Sequence, residues 1–339
     1  MADPLLVPGT QASTLIDRAN GSAPIYNAVR MGLPLIAKSL GGLPKEEWVA
    51  AMSMEHAPGQ LAPTRTSLQP GRDLGFGEVS RVPYDLLDYE GWGYDWRADM
   101  RWNAERLVDD LDARLIRERE RARLIGHSQG GLIIVLASKH AGAAEWDRLV
   151  SRVVLVGSPL AGTLNALEAL LPGSPSLGDD NRILARDMAR TWPALYQMLP
   201  AWSCIEESDG DPRAPADQVL EPGGWPGQAG ITADLLTRAQ EAQALLRNPF
   251  AEFGAAEVRA FLGTNHKTPQ ALIRDADEDG RFVFKDQSGD SLVPHARTMA
   301  WGDQSYHASV RMFNKNTQNH ARLCVDVRVA TRIRQFLEG

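Results

Sequence analysis

The chain has 339 residues, 43% hydrophobic and 23% charged, enough to bury a large core in one domain with an insertion or in two domains. Its net charge of -7, with no long single-sign run, argues against nucleic acid or an anionic membrane surface as the main partner, because both reward a basic surface. No segment reaches the length of a transmembrane helix, and Met1 to Gly9 lacks a basic stretch followed by a long apolar one, so a cytoplasmic protein is expected.

Cys204 and Cys324 lie far apart and without metal-ligand spacing, so buried thiols are expected rather than a disulfide. The histidines form no His-x-x-x-His pair, and no Gly-rich loop is followed by lysine as phosphate binding requires. Neither a metal nor a cofactor is expected.

Pro4-Leu5-Leu6-Val7 reads as a short buried strand that Pro8-Gly9-Thr10-Gln11 breaks at once. Ser22 to Gly42 shows no clean periodicity, Lys45 to Val49 starts a helix, and Ala57 to Gly77 reads as a long irregular excursion. Glu90 to Arg97 is an aromatic cluster with interleaved acid and base. The expectation there is a packed corner in which Asp95 and Arg97 satisfy loop backbone, with Trp96 kept as a candidate substrate contact.

From Asp99 a helix follows, with Leu107, Val108, Leu111, Leu115 and Ile116 assigned to its buried stripe. Arg123 to Gly126 is the next strand, Leu132 to Ala137 a helix apolar all round, and Arg152 to Gly157 a strand without alternation, as a strand buried on both faces requires. Strands alternating with helices in this way predict an α/β fold with a mostly parallel, doubly covered sheet.

Between Leu164 and Glu257 no central strand is evident. That length is too great for a loop and predicts an inserted helical cap over 164–257, leaving 1–163 and 258–339 as the core. Trp192 and Tyr196 fall in it as candidate substrate-binding residues, with packing inside the cap as the commoner role for such aromatics. Val258 to Gly263 and Arg281 to Phe284 read as further strands. A closing helix carries Val325, Val329, Ile333, Phe336 and Leu337 at helical spacing.

Gly126-His127-Ser128-Gln129-Gly130 is Gly-x-Ser-x-Gly between a strand and a helix, the pattern of a nucleophile elbow. A serine hydroxyl needs a base, an orienting acid and oxyanion donors before it reacts at neutral pH. In this topology acid and histidine follow the serine in that order. Gly289-Asp290 stands where the acid belongs, with Asp286 and Asp303 as alternatives. His320, just before the closing helix, stands where the base belongs, with His295 and His307 behind it. His127 is adjacent in sequence but aims elsewhere on a sharp turn, while His56, His140 and His266 read as surface or loop residues. The backbone N–H groups of Gln129 and Thr10 are the candidate oxyanion hole.

Several of these runs resemble the lecithin:cholesterol acyltransferase family of α/β-hydrolases: Leu6-Val7-Pro8-Gly9, Tyr94-Asp95-Trp96-Arg97, Gly126 to Gly131, Gly157-Ser158-Pro159 through Thr163, Trp192 to Pro200, Gly289 to Pro294, and His320. The resemblance implies an α/β-hydrolase fold, a Ser128, Asp290, His320 triad, an oxyanion hole at Thr10 and Gln129, and acyl-ester chemistry on lipid-like substrates. Two other readings stand beside it: an esterase or lactonase for a soluble ester, and a non-catalytic binding module on the same fold.

Overall fold

The computed structural model describes residues 3–17, 23–26, 49, 52–54, 60–61, 74–79, 84–171, 182–206, 219–225, 230–263, 266–273, 286–294 and 319–339. The chain starts with β1 (Leu5–Val7), β2 (Ser13–Asp17), β3 (Ala23–Tyr26), β4 (Leu74–Val79) and β5 (Glu90–Gly91). Helix α1 (Met100–Glu118) then leads to β6 (Ala122–His127), α2 (Gln129–Ala141), α3 (Ala143–Leu149) and β7 (Val150–Val156). Next come α4 (Leu164–Leu170), α5 (Arg182–Ala189), α6 (Pro193–Gln197), β8 (Ile205–Glu206) and α7 (Ala233–Leu246). The described chain closes with β9 (Glu257–Phe261), β10 (His266–Pro269), β11 (Leu272–Ile273), β12 (Asp286–Gly289), a 3₁₀ turn His320–Val325 and α8 (Val327–Glu338).

Among the described residues the central sheet has five strands in the order β5-β1-β6-β7-β9, and every neighbouring pair is parallel. Its residues alternate between two cores. Leu5, Val7, Leu124, Val153 and Leu155 pack with α1, α2 and α3 on one face. Leu6, Ile125, Val154, Val156 and Phe261 pack with Val329, Ile333, Phe336 and Leu337 of α8 on the other. Two-sided burial explains why these strands read as unbroken apolar runs, each large side chain contributing roughly 1.5–3 kcal/mol on leaving water.

Helix α2 lies inside the molecule, with every residue from Gln129 to Ser138 buried. The stripe expected on α1 holds for Leu107, Val108 and Leu111, but Ile116 is 71% exposed. At 3.6 residues per turn, Leu107, Leu111 and Arg114 share the inward face and Ile116 falls outside it. Helix α8 begins at Asp326, whose carboxylate accepts from the Arg328 and Val329 N–H groups, and ends where Arg123 and Arg152 donate to its last carbonyls.

A small antiparallel sheet, β3-β2-β4, is inserted between β1 and β5 of the central one, so the stretch expected to be irregular up to Gly77 ends in a strand. Arg281–Phe284, the remaining expected strand, lies outside the described residues, as does all of Lys45–Val49 except Val49, which is helical.

The described residues between β7 and β9 are mainly helical, with the short strand β8 among them, and build a third apolar cluster from Leu164, Leu167, Tyr196, Trp202, Trp225, Leu235 and Leu236. One carboxylate fastens it to the core. Asp99 caps α1 by accepting from the Arg101 N–H at 3.0 Å, and the same oxygen accepts from Gln197 Nε2 of α6 at 2.6 Å. Gln197 returns an acceptor to the Met100 N–H at 2.7 Å, and Arg238 of α7 approaches the other Asp99 oxygen at 3.5 Å. Burial pushes the Asp99 carboxyl up, but the Arg101 and Gln197 donors reverse this and leave it below its ordinary value.

Candidate active site

Ser128 sits between the last residue of β6 and the first of α2 with φ 53° and ψ -125°, a backbone conformation that costs a non-glycine residue roughly 1–3 kcal/mol. The surroundings enforce it. Its N–H donates to the Val156 carbonyl at 2.9 Å, continuing the β6–β7 ladder by one residue, and its carbonyl accepts from Gly131. A Cβ at Gly130 would run into the Val7 and Pro8 carbonyls, so only glycine lets α2 start this close to β1.

The Ser128 hydroxyl lies 2.8 Å from His320 Nε2, and His320 Nδ1 lies 2.7 Å from Asp290 Oδ2. Because a buried carboxylate accepts only, Nδ1 carries the ring proton, which leaves Nε2 to accept from the serine hydroxyl. The Asp290 turn is pinned: its Oδ1 accepts from Leu292 and Val293 N–H at 3.0 and 2.7 Å, and its carbonyl accepts from the His320 N–H at 2.7 Å. Burial pushes the Asp290 carboxyl up, but the His320 charge and hydrogen bond and the two backbone donors bring it below the ordinary carboxylate value.

Gly157, at φ +57°, turns the chain off the end of β7 just beneath this pair. A Cβ there would stand 3.1 Å from Asp290 Oδ2 and 3.2 Å from His320 Cε1.

The Gln129 N–H belongs to the first turn of α2, where no intrahelical acceptor exists, and the helix dipole favours negative charge. Thr10 stands across from it. Its hydroxyl donates to Gln129 Oε1 at 2.8 Å, and Gln129 Nε2 donates to the Trp96 carbonyl at 3.0 Å. The Tyr-Asp-Trp-Arg corner buttresses the same loop: Tyr94 donates to the Pro8 carbonyl at 2.8 Å, Trp96 Nε1 to the Ser13 carbonyl at 3.2 Å, and Arg97 forms a buried two-pronged pair with Asp95.

These groups open into a cleft of about 320 Å³. Its floor is Ser128 with Gly9, Thr10 and His320, and its walls include Ala12, Pro159, Thr163, Asn165, Ala166, Leu195, Met198, Leu292 and Val293.

Ser128, Asp290, His320, Thr10 and Gln129 therefore meet in one place, although they lie far apart in the chain. The aromatic candidates do not. Trp96, Trp192 and Tyr196 are buried and absent from the cleft lining, because each has spent its polar atom on structure. Trp192 Nε1 donates to the Met52 carbonyl, its ring meets Trp96 edge-on, and the Tyr196 hydroxyl donates to the Arg190 carbonyl. Asp286 lies in β12 opposite Pro269, His266 lies opposite Gly289, and His140 is half exposed beside Glu105. His56, His295, His307 and Asp303 fall outside the described residues.

Tyr84 and His127 also face the site; no sequence pattern marks Tyr84, and His127, expected to aim elsewhere, lines the cleft with its ring against His320. Tyr84 accepts from the Gly9 N–H at 2.9 Å, and its hydroxyl lies 2.9 Å from His127 Nδ1. Leu195 and Met198, rather than the aromatics beside them, are what the Trp192 to Pro200 run presents to the cleft.

A family model described as "Alpha/beta hydrolase family" matches residues 22–283, more than three quarters of the sequence and including Ser128. The chain belongs to the alpha/beta hydrolase family. A chain in the crystal structure of a Tle4–Tli4 complex is similar to it over 98% of both lengths, with a TM-score of 0.59 at 14% identity. The Bacillus licheniformis lipase BlEst2 in its mature form aligns over 99% of this chain and 91% of its own, with a TM-score of 0.43 at 12% identity. No curated protein matches the sequence. None of the helices among the described residues is long and apolar enough to cross a membrane, and these residues hold no cluster of three or more His, Cys, Asp or Glu fit for a metal ion.

Proposed function

We propose that this hydrolase is a serine acyl hydrolase that cleaves carboxylic esters through an acyl-enzyme on Ser128. The observation that carries the reading is the continuous line from Ser128 Oγ to His320 Nε2 at 2.8 Å and from His320 Nδ1 to Asp290 at 2.7 Å. Ser128 attacks the ester carbonyl while His320 takes its proton, and Asp290 holds the imidazole in the required tautomer and stabilises the imidazolium. The N–H groups of Gln129 and Thr10 receive the developing oxyanion, each donor supplying on the order of 3 kcal/mol. His320 then returns the proton to the leaving alkoxide, and water or an acceptor alcohol, deprotonated by the same ring, releases the acyl group.

Residues 164–257 act as a cap in this reading, since Asn165, Ala166, Leu195 and Met198 all wall the cleft from that segment. The runs resembling the lecithin:cholesterol acyltransferase family support an acyl ester, lipid-borne or free. A second reading, a soluble ester with a short acyl group, is favoured by the cleft volume, which lies near the low end of the roughly 300–1,000 Å³ of small-molecule pockets.

Replacing Ser128 by Ala is expected to abolish hydrolysis of p-nitrophenyl butyrate and covalent labelling by a fluorophosphonate, with the fold retained. Activity or labelling surviving in Ser128→Ala would overturn the proposal.

A further inference from the structure

His127 precedes the candidate nucleophile but turns away from it, and its ring is wholly used. Nδ1 lies 2.9 Å from the Tyr84 hydroxyl and Nε2 lies 3.2 Å from the main-chain carbonyl of His320. The direction of every bond follows from its two ends. The Gly9 N–H can only donate to the Tyr84 oxygen, at 2.9 Å, and the His320 carbonyl can only accept. His127 must therefore carry its proton on Nε2, leaving Nδ1 to accept from the Tyr84 hydroxyl. One polarised chain runs from Gly9 through Tyr84 and His127 to His320.

Its ends are the two loops whose separation matters most to the reaction proposed above. Gly9 precedes Thr10, the candidate oxyanion donor, and the other terminus is the backbone of the candidate base. The middle is fixed, because His127 ends β6, the strand between β1 and β7, and Tyr84 is 4% exposed within the core packed on α8. The Tyr84 and His127 rings meet edge-on at 5.5 Å, and the His127 and His320 rings lie 5.2 Å apart. A proton added to His127 would put two N–H groups where the chain has one acceptor and place a cation beside His320. Burial, reinforced by His320, opposes this and holds His127 down at about 3, although the nearby Asp290 charge works the other way.

We propose that Tyr84 and His127 are positioning residues that set the oxyanion loop and the base loop in register, so that neither moves without the other. The inference rests on the serine-hydrolase reading of Ser128 and His320. It differs from a packing role in what it predicts for the two residues together. If the chain acts as a unit, breaking it once loses what breaking it twice loses.

The test compares Tyr84→Phe, His127→Phe and the double variant, each normalised by fluorophosphonate active-site titration so that only folded sites are counted. Expected is a fall in kcat on the order of tenfold to hundredfold in each single variant, KM within about twofold of wild type, and a double variant no worse than the weaker single one. His127→Gln, whose amide offers one acceptor and one donor, is expected to recover most of the kcat lost in His127→Phe. Wild-type kcat per titrated site in Tyr84→Phe, losses that multiply in the double variant, or no advantage of Gln over Phe at position 127 would each overturn the coupling alone. Failure of the wild type to label would instead overturn the serine-hydrolase reading, and the coupling with it.

Discussion

At the scale of single residues, the site is built from side chains with little freedom to be anything else. Ser128 keeps its unfavourable backbone angles because the Val156 carbonyl, Gly130 and Gly131 leave the turn no other path. His127 is the most consequential residue that sequence order alone sets aside. Held neutral down to about pH 3 in the fold, against an ordinary value of 6.5, it makes the unfolded chain bind one more proton than the native one throughout that window. Its contribution is therefore complete above about pH 6.5 and drains away as pH falls toward 3, at up to about 1.4 kcal/mol per pH unit. Asp290 and Asp99, lowered below their ordinary 3.8, add the same sign of dependence as pH falls through that value, at the acid end of the His127 window. Urea-denaturation midpoints of the wild type are expected to fall between pH 7 and pH 5, where histidine titrates in the unfolded chain while His127 stays neutral in the fold, and His127→Gln is expected to flatten that slope. An unchanged slope in the variant would contradict the assignment.

Among the elements, those whose residues speak for themselves are the ones buried on both sides. The apolar runs of β1, β6 and β7, the all-round apolar α2 and the helical spacing of α8 are legible because burial demands those residue types. Strand β5 is not legible: it has two exposed residues, and it joins the sheet only because Leu5 and Leu6 present a free edge beside it. The order of Ser128, Asp290 and His320 was readable from the topology that carries them. Tyr84 was not, because its partners are 75 and 43 residues away and nothing local constrains it. The same holds for the clamp of α6 onto α1. The Pro-Ala-Leu-Tyr-Gln run is conspicuous in sequence, yet the reason for Gln197 appears only when its amide is seen answering both Asp99 and the Met100 N–H. Asp99→Ala removes a helix cap, about 1 kcal/mol, and leaves Gln197 and Arg238 facing a buried vacancy. The combined loss is expected to reach about 3–5 kcal/mol in urea denaturation, with Asp99→Asn, which keeps the cap, falling between. Wild-type stability of Asp99→Asn would show that the charge contributes nothing to the clamp.

For the molecule as a whole, the cleft is a joint product of the core and the segment 164–257. The core brings Ser128, His320 and Thr10, and the segment brings Ala166, Leu195 and Met198. Tyr196, Trp202 and Trp225 pack inside that segment and Trp192 packs against Met52 and Trp96 of the core, so none of them walls the cleft. A cleft of about 320 Å³ with small and aliphatic walls is expected to favour p-nitrophenyl hexanoate over the palmitate ester. Ala166→Phe is expected to shift the optimum toward acetate, lowering kcat/KM for hexanoate roughly tenfold while acetate changes by less than about threefold. Equal losses for both esters would place Ala166 outside the path of the acyl chain.

The β-ladder does not stop where the strands do: Ser128 N–H bonds to the Val156 carbonyl and Gly157 N–H to that of Phe261, so the turn carrying Ser128 and the one beside Asp290 and His320 are the last rungs of the sheet itself. Such rungs open only when the sheet opens, which puts the amides of Ser128 and Gly157 among the slowest-exchanging in the molecule. Heat or denaturant cannot then free the Ser128 turn without opening the central sheet beneath it.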